Sequence, residues 1–156
     1  MAVFPPPAEI RSLRHALPSS ARLTRTDKWH ITLVFLGEVP DDRVDQLTEI
    51  LAHLPPRGPF SLRLGGGGRF GTAAWTAVDG DLAALLALRD SVKGALDPAF
   101  PSDDRPFTPH LTVSYRADAA TQRALADYAG QPWPVTEFSL VRSRDGAYSP
   151  VASWPA

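Results

Sequence analysis

Two stretches decide how this chain is read: Trp29-His30-Ile31-Thr32-Leu33-Val34-Phe35-Leu36-Gly37 and Arg105-Pro106-Phe107-Thr108-Pro109-His110-Leu111-Thr112-Val113. Both contain histidine, an apolar residue, threonine and a second apolar residue, and the copies stand 80 positions apart. Counted as template matches, two such hits arise from composition alone roughly once in 10⁴ similar sequences. The apolar surroundings of each motif predict a strand. The two-residue period of a strand puts His30 and Thr32 on one face, about 6–7 Å apart, and His110 and Thr112 likewise. Ile31, Leu33, Leu111 and Val113 then turn the other way, toward a core. Ordinary packing explains one such motif as a satisfied core histidine beside a β-forming threonine. It gives no reason to repeat the pattern.

A pair of facing imidazoles suits a reaction that needs a base and an acid in one step. Histidine titrates near neutrality, so one ring can be neutral while the other is protonated. The threonine hydroxyls are placed to donate to non-bridging phosphate oxygens, where charge develops. Displacement at phosphorus requires attacking and leaving oxygens on opposite sides, in line. A pseudo-twofold cleft with one histidine on each wall supplies that geometry.

Working outward, Met1–Phe4 reads as a short strand and Ala8–Leu17 as a helix with Pro7 at its first turn. Trp29–Leu36 reads as a buried strand stopped by Gly37 and Pro40. Asp41 or Asp42 is placed to cap a helix carrying Val44, Leu47, Leu51 and Leu54 at helical spacing. Phe60–Leu64 alternates as a strand, a glycine loop Gly65–Gly68 follows, and a second strand Ala74–Val78 closes at Asp79-Gly80. Asp81 opens a helix with Leu82, Leu85, Leu86, Val92 and Leu96 near one face. Then come the strand His110–Tyr115 and a short helix near Ala119–Tyr128. The strands Val135–Ser143 and Ala147–Trp154 finish the chain, joined at Asp145-Gly146. Hairpins among alternating elements favour an α+β fold with mostly antiparallel pairing over a doubly wound parallel sheet.

Composition agrees with one domain spanning residues 1–156. The 156 residues are 44% apolar and 21% charged, which is ordinary for a globular domain. With 16 basic and 17 acidic residues the net charge is −1, so no global field draws the chain to nucleic acid. A nucleic-acid partner must be held by a local cleft. The absence of cysteine excludes a disulfide framework, a thiolate zinc site and a cysteine nucleophile together. The longest apolar run, Leu82 to Leu88, is far short of a membrane span. Met1-Ala2-Val3-Phe4 runs into Pro5-Pro6-Pro7 without the pattern of a secretory signal, so a cytoplasmic location is expected. Lys28 and Lys93 are the only lysines among the basic residues, a bias that fits a GC-rich genome.

Weaker signals have plainer readings. Gly66, Gly68 and Gly71 spell a dinucleotide fingerprint, but the run leads into a strand and lacks the acidic ribose partner. A loop on the cleft rim is the better reading, with Phe70 either stacking on a base or plugging the hairpin locally. His15 and His53 have no partner pattern and read as surface or cap residues. A zinc site needs at least three ligands. His30 and His110 are two, and Asp103 and Asp104 lie near His110 only in sequence. Neither a metal nor a cofactor is expected.

These residues resemble the two-histidine phosphoesterase superfamily, and within it the bacterial RNA 2′,3′-cyclic phosphodiesterase or 2′-5′ RNA ligase family. Trp29 through Val39 resembles its first motif block and Arg105 through Val113 its second. Phe138 through Ser143, Tyr148-Ser149-Pro150 and Trp154-Pro155 resemble its C-terminal end. Members often carry arginine five residues after the second histidine. Here Tyr115 stands there and Arg116 follows, on the face of His110 if the strand continues. The hairpin between Arg144 and Tyr148 is short for the family.

The resemblance implies two similar lobes of mostly antiparallel sheet with outer helices around a central cleft. It implies metal-independent hydrolysis of a terminal 2′,3′-cyclic phosphate to a 2′-phosphate, with His110 as base and His30 as acid. The reverse reaction would join such an end to a 5′-hydroxyl. Thr32, Thr112, Arg116 and Phe70 are the candidate substrate-binding residues. The expected partners are RNA ends or nucleotides bearing the cyclic phosphate, with no membrane and no obligate protein partner, and a monomer is expected. The alternatives are a non-catalytic RNA-end binding module, against which the retention of both histidines argues, and a phosphodiesterase acting on small cyclic nucleotides.

Overall fold

The computed structural model describes residues 1–102, 105–144 and 146–156. Asp103 and Asp104, named above as possible metal ligands, and Asp145, named above for the expected last turn, lie outside the described residues. The elements are β1 (Ala2–Val3), α1 (Pro7–Ala16), β2 (Ile31–Thr32), α2 (Val44–Ala52), β3 (Phe60–Phe70), β4 (Ala73–Gly80) and α3 (Leu82–Leu96). They continue with β5 (His110–Ser114), α4 (Ala119–Asp127), β6 (Trp133–Val135), β7 (Glu137–Arg144) and β8 (Ala147–Pro155). The strands form one sheet in the order β6-β3-β4-β5-β2-β1-β7-β8. Every neighbouring pair is antiparallel. The α+β expectation is met, and the two lobes are the two halves of this sheet. They meet where β5 lies beside β2.

That junction is set by one pairing, Ile31 with Leu111. Both side chains are fully buried, because each belongs to the apolar face of its strand. Leu62, Leu64 and Val113 join the same core, which Leu13 of α1, Leu47 and Leu51 of α2, four residues of α3 and Leu125 of α4 complete. Asp81 caps α3 by accepting from the Ala84 amide at 3.0 Å, as its place in the sequence predicts. Asp118 does the same for α4, accepting from the Thr121 amide at 2.8 Å.

Several local readings need correction. The first motif forms a ladder only over Ile31–Thr32, not over Trp29–Leu36. β1 is short, and beyond it the Met1 carbonyl takes the Leu33 and Val34 amides together. The sequential residues Leu33 and Val34 are therefore both buried, which breaks strand alternation. Neither Asp41 nor Asp42 caps α2; they open a 3₁₀ turn, Asp41–Arg43, and no side chain caps the helix. The glycine run is no loop. It continues β3 through a bulge between Leu64 and Gly67. The expected strand from Val135 is two strands, with Thr136 between them.

The glycines are used for their missing side chains. A Cβ on Gly68 would stand 2.3 Å from the Trp75 ring, and one on Gly67 would stand 2.6 Å from Leu125. Glycine at these two positions lets an indole lie over one point of β3 and a helix pack against the next.

Candidate active site

The pairing of Ile31 with Leu111 fixes the site, since antiparallel partners here sum to a constant. One step either way sets His30 against Thr112 and Thr32 against His110. All four side chains leave the sheet on the face opposite the buried Ile31 and Leu111, and all four are half-buried. The strand period brings together the residues that the repeated motif singled out.

Each imidazole is held in the same way. The Nδ1 of His30 lies 2.7 Å from the Lys28 carbonyl, and the Nδ1 of His110 lies 2.6 Å from the Thr108 carbonyl. A carbonyl oxygen only accepts, so Nδ1 carries the hydrogen in both rings. In the neutral state this leaves Nε2 as the free basic nitrogen. The Nε2 of His30 is 3.1 Å from the Thr32 hydroxyl, so the two polar groups of one motif meet.

Aromatic rings flank both histidines. Phe4 and Tyr148 stand 5.8 and 5.4 Å from His30. Phe70 and Trp75 stand 5.0 and 5.9 Å from His110. Tyr148 comes from the β7–β8 hairpin and Phe70 from the end of β3, so each half of the sheet offers one hairpin aromatic to its own histidine. Phe70 packs on Trp75 at 5.0 Å and remains 47% exposed, which puts one face of its ring within reach of a ligand. Trp75 and Phe4 escaped the sequence reading. Trp75 pairs with Thr112 across β4 and β5, and no sequence pattern announces that partnership.

The surroundings shift the titration of the His30 ring. Burial is the main cause that holds His30 below the usual histidine value, and the like charges of the chain's amino group and His110 add to it. The influence of His110 on His30 is itself a sign of their closeness. Beside His30 lies a cleft of about 440 Å³, lined by Thr32, Phe35, Asp41, Arg142, Arg144 and Tyr148 among others.

Arg116 is placed differently. β5 ends at Ser114, and the Arg116 amide bonds back to the Ser114 hydroxyl at 3.0 Å. Strand alternation therefore does not carry Arg116 to the face of His110; its side chain is exposed beyond the strand end. His15 is exposed on α1, and His53 donates from Nδ1 to the Glu49 carbonyl at 2.7 Å in a helix-end contact. Among the described residues no three His, Cys, Asp or Glu side chains gather as a metal site would require.

A deep tie holds the two motif strands together. Trp29 is buried and donates its indole N–H to the Thr24 hydroxyl at 2.9 Å, which donates in turn to the Val113 carbonyl at 3.1 Å. The residue just before His30 is thereby tied to the strand that carries His110.

Residues 3–147 match the model of the 2′-5′ RNA ligase superfamily. The chain belongs to this family. An RNA 2′,3′-cyclic phosphodiesterase of Thermus thermophilus is 36% identical over 135 residues, which covers 78% of this chain and 67% of that protein. One from Escherichia coli is 28% identical, covering 95% and 90%. One from Geobacillus stearothermophilus is 33% identical over 83% of this chain, and the match spans only 46% of that longer protein. A crystal structure of a Thermus thermophilus protein superposes with a TM-score of 0.81 over 99% of this chain and 94% of that one, at 24% identity. Apo LigT of E. coli superposes at 0.79 over the same shares, also at 24% identity. These structures establish the family's fold for this member. No helix among the described residues is long and apolar enough to cross a membrane.

Proposed function

We propose that this member of the 2′-5′ RNA ligase superfamily is an RNA 2′,3′-cyclic phosphodiesterase that opens a terminal cyclic phosphate to a 2′-phosphate. The observation that carries the reading is the matched pose of His30 and His110. Both rings are anchored through Nδ1–H and leave Nε2 for proton transfer, on adjacent strands of one face. The names of the relatives support the same chemistry.

In the mechanism that the family resemblance implies, His110 takes a proton from water through Nε2. The water oxygen attacks phosphorus, the bond to the 3′ oxygen breaks, and His30 gives that oxygen its proton. Thr32 and Thr112 donate to the non-bridging oxygens. The depressed pKa of His30 makes its protonated ring a good donor to a departing alkoxide. The cyclic phosphate is an anion, and its arrival draws that pKa back up, so the ring acquires its proton with substrate in place. The same sequence with a 5′-hydroxyl in place of water, its proton taken by His110 and the 3′ oxygen again leaving with the proton of His30, joins two RNA ends by a 2′-5′ link. Phe70, which meets His110 edge to face and stays exposed, is the candidate platform for a base.

The reading casts the chain as one bilobal unit working as a cytoplasmic monomer without metal. The test is turnover of an RNA oligomer ending in a 2′,3′-cyclic phosphate with EDTA present. Release of a 2′-phosphate end supports the proposal. Tight binding without turnover would mark a binding module, and turnover abolished by EDTA would mark a metal enzyme.

A further inference from the structure

The wall of the cleft beside His30 holds two arginines that the hydrolytic mechanism does not use. Arg142 and Arg144 lie on β7, two apart, so the strand period puts both on one face. Each guanidinium holds one oxygen of the same carboxylate: Arg142 Nη2 to Asp41 Oδ1 at 3.0 Å, and Arg144 Nη2 to Asp41 Oδ2 at 3.1 Å. Asp41 is the first residue of the 3₁₀ turn that replaced the expected helix cap. All three side chains line the same cleft as His30 and Thr32. The hairpin that carries the arginines also carries Tyr148, whose ring stands 5.4 Å from His30. The Lys28 Nζ lies 5.5 Å from the centre of that tyrosine ring and adds a third positive charge.

A carboxylate bound in this way has the charge and the two free oxygens of a phosphodiester. We propose that Arg142 and Arg144 bind the phosphodiester on the 5′ side of the terminal nucleotide, and that Asp41 holds their place until RNA displaces it. The inference rests on the phosphodiesterase reading and deepens it. A 2′,3′-cyclic phosphate closes the 3′ end of a strand, so every other phosphate of the substrate lies upstream. A nucleoside 2′,3′-cyclic phosphate has none. β7 stands two strand spacings, about 10 Å, from the motif strand β2, which is the range of a neighbouring nucleotide and beyond the reacting phosphate. The ion pairs are exposed, with side-chain accessibilities of 38%, 64% and 65% for Arg142, Arg144 and Asp41. Exposed pairs are weak and are exchanged readily for another anion. The chain has a net charge of only −1 and no global attraction for RNA, so this local pair is where selection of an oligomer over a mononucleotide is built. Arginine's fork suits the purpose.

The experiment compares kcat/KM for adenosine 2′,3′-cyclic phosphate with that for a short oligoadenylate ending in the same group. Within each protein the ratio of oligomer to mononucleotide is the readout. The double variant Arg142→Gln with Arg144→Gln should lower that ratio about tenfold or more, since two charge-assisted bonds are lost. It should also make the salt dependence for the oligomer shallower by about 0.7 in log-log slope, the value of one single-strand phosphate contact. Asp41→Asn should raise the ratio about threefold, by removing the competing charge of an exposed pair. Ratios that agree within about twofold across all three proteins, with the wild type active, would overturn this inference and leave the phosphodiesterase reading intact. Parallel loss on both substrates in the arginine variant would overturn it too. A wild type that turns over neither substrate would overturn the phosphodiesterase reading itself.

Discussion

Ile31 pairs with Leu111 at the centre of the sheet, and this one antiparallel contact aligns two motifs that stand 80 positions apart. The two residues are apolar and fully buried. The arrangement of His30, Thr32, His110 and Thr112 on the opposite face therefore inherits its register from hydrophobic packing. A one-residue slip of either strand would turn its own histidine into the core and its own apolar residue into the cleft, which burial of apolar side chains strongly disfavours.

If both imidazoles act in one displacement, His30→Ala and His110→Ala should each lose on the order of 10²–10⁴ in rate. The double variant should be little worse than either single, because the two serve one step. Thr32→Ala and Thr112→Ala should cost about 10–100-fold, since water replaces part of a lost hydroxyl donor. Steady-state kinetics run beside thermal melts check this. Full activity in either histidine variant would end the two-histidine mechanism.

The pH profile of kcat/KM should be bell-shaped, with limbs that belong to the coupled pair. Because burial holds His30 low in the free protein, the acid limb should fall below the ordinary histidine value of about 6.5. In kcat, which reports the complex, that limb should move up as the bound anion favours the charged ring. An acid limb that stays fixed between the two profiles would contradict the proposed role of the anion.

The same shift has a stability consequence. The unfolded chain keeps an ordinary histidine and binds more protons than the folded one between the folded pKa of His30 and about 6.5. Stability is therefore full above that window and is lost as pH falls through it. His30→Asn removes this loss. Between about pH 7.5 and about pH 5 the melting temperature should fall less in the variant than in the wild type, by linkage. Equal falls would show that burial of His30 carries no desolvation cost.

Gly68 and Gly94 should answer oppositely to alanine. At Gly68 the new methyl would meet the Trp75 ring at 2.3 Å. The expected cost is about 1–3 kcal/mol of stability, with reduced activity because Trp75 packs against His110. Gly94 sits inside α3 with nothing within 4 Å of an added Cβ. Alanine there should stabilise by about 0.5–1 kcal/mol. Denaturant titrations of the two variants check both signs.

Away from the site, Glu9 is buried at 5% exposure and its Oε1 accepts from the Tyr128 hydroxyl at 2.7 Å. Burial pushes that phenol up to about 12, so it remains a donor at every working pH. Tyr128→Phe leaves a buried carboxylate short of a partner and should destabilise by about 1–3 kcal/mol. Urea unfolding measures it, and a change under about half a kcal/mol would mean that water fills the gap.

What the sequence determined by itself was the chemistry and the faces. The repeated motif named His30, Thr32, His110 and Thr112, and the two-residue strand period already put each pair on one side and Ile31 and Leu111 on the other. The Asp81 cap and the final hairpin were equally local and equally legible. Only the tertiary structure decided what depends on partners distant in the chain. Trp75 became a neighbour of His110 through the pairing of β4 with β5. The glycine run became strand because Gly67 and Gly68 receive Leu125 and the Trp75 indole. Asp41 left its expected helix cap because two arginines about a hundred residues on offer it charge, which a helix N-terminus supplies only in part. Arg116 is not carried by strand alternation because its strand stops at Ser114. Periodicity is a property of a few successive residues and can be read from them. Pairing register, close approach and ion-pair competition are properties of residues that only the folded chain brings together.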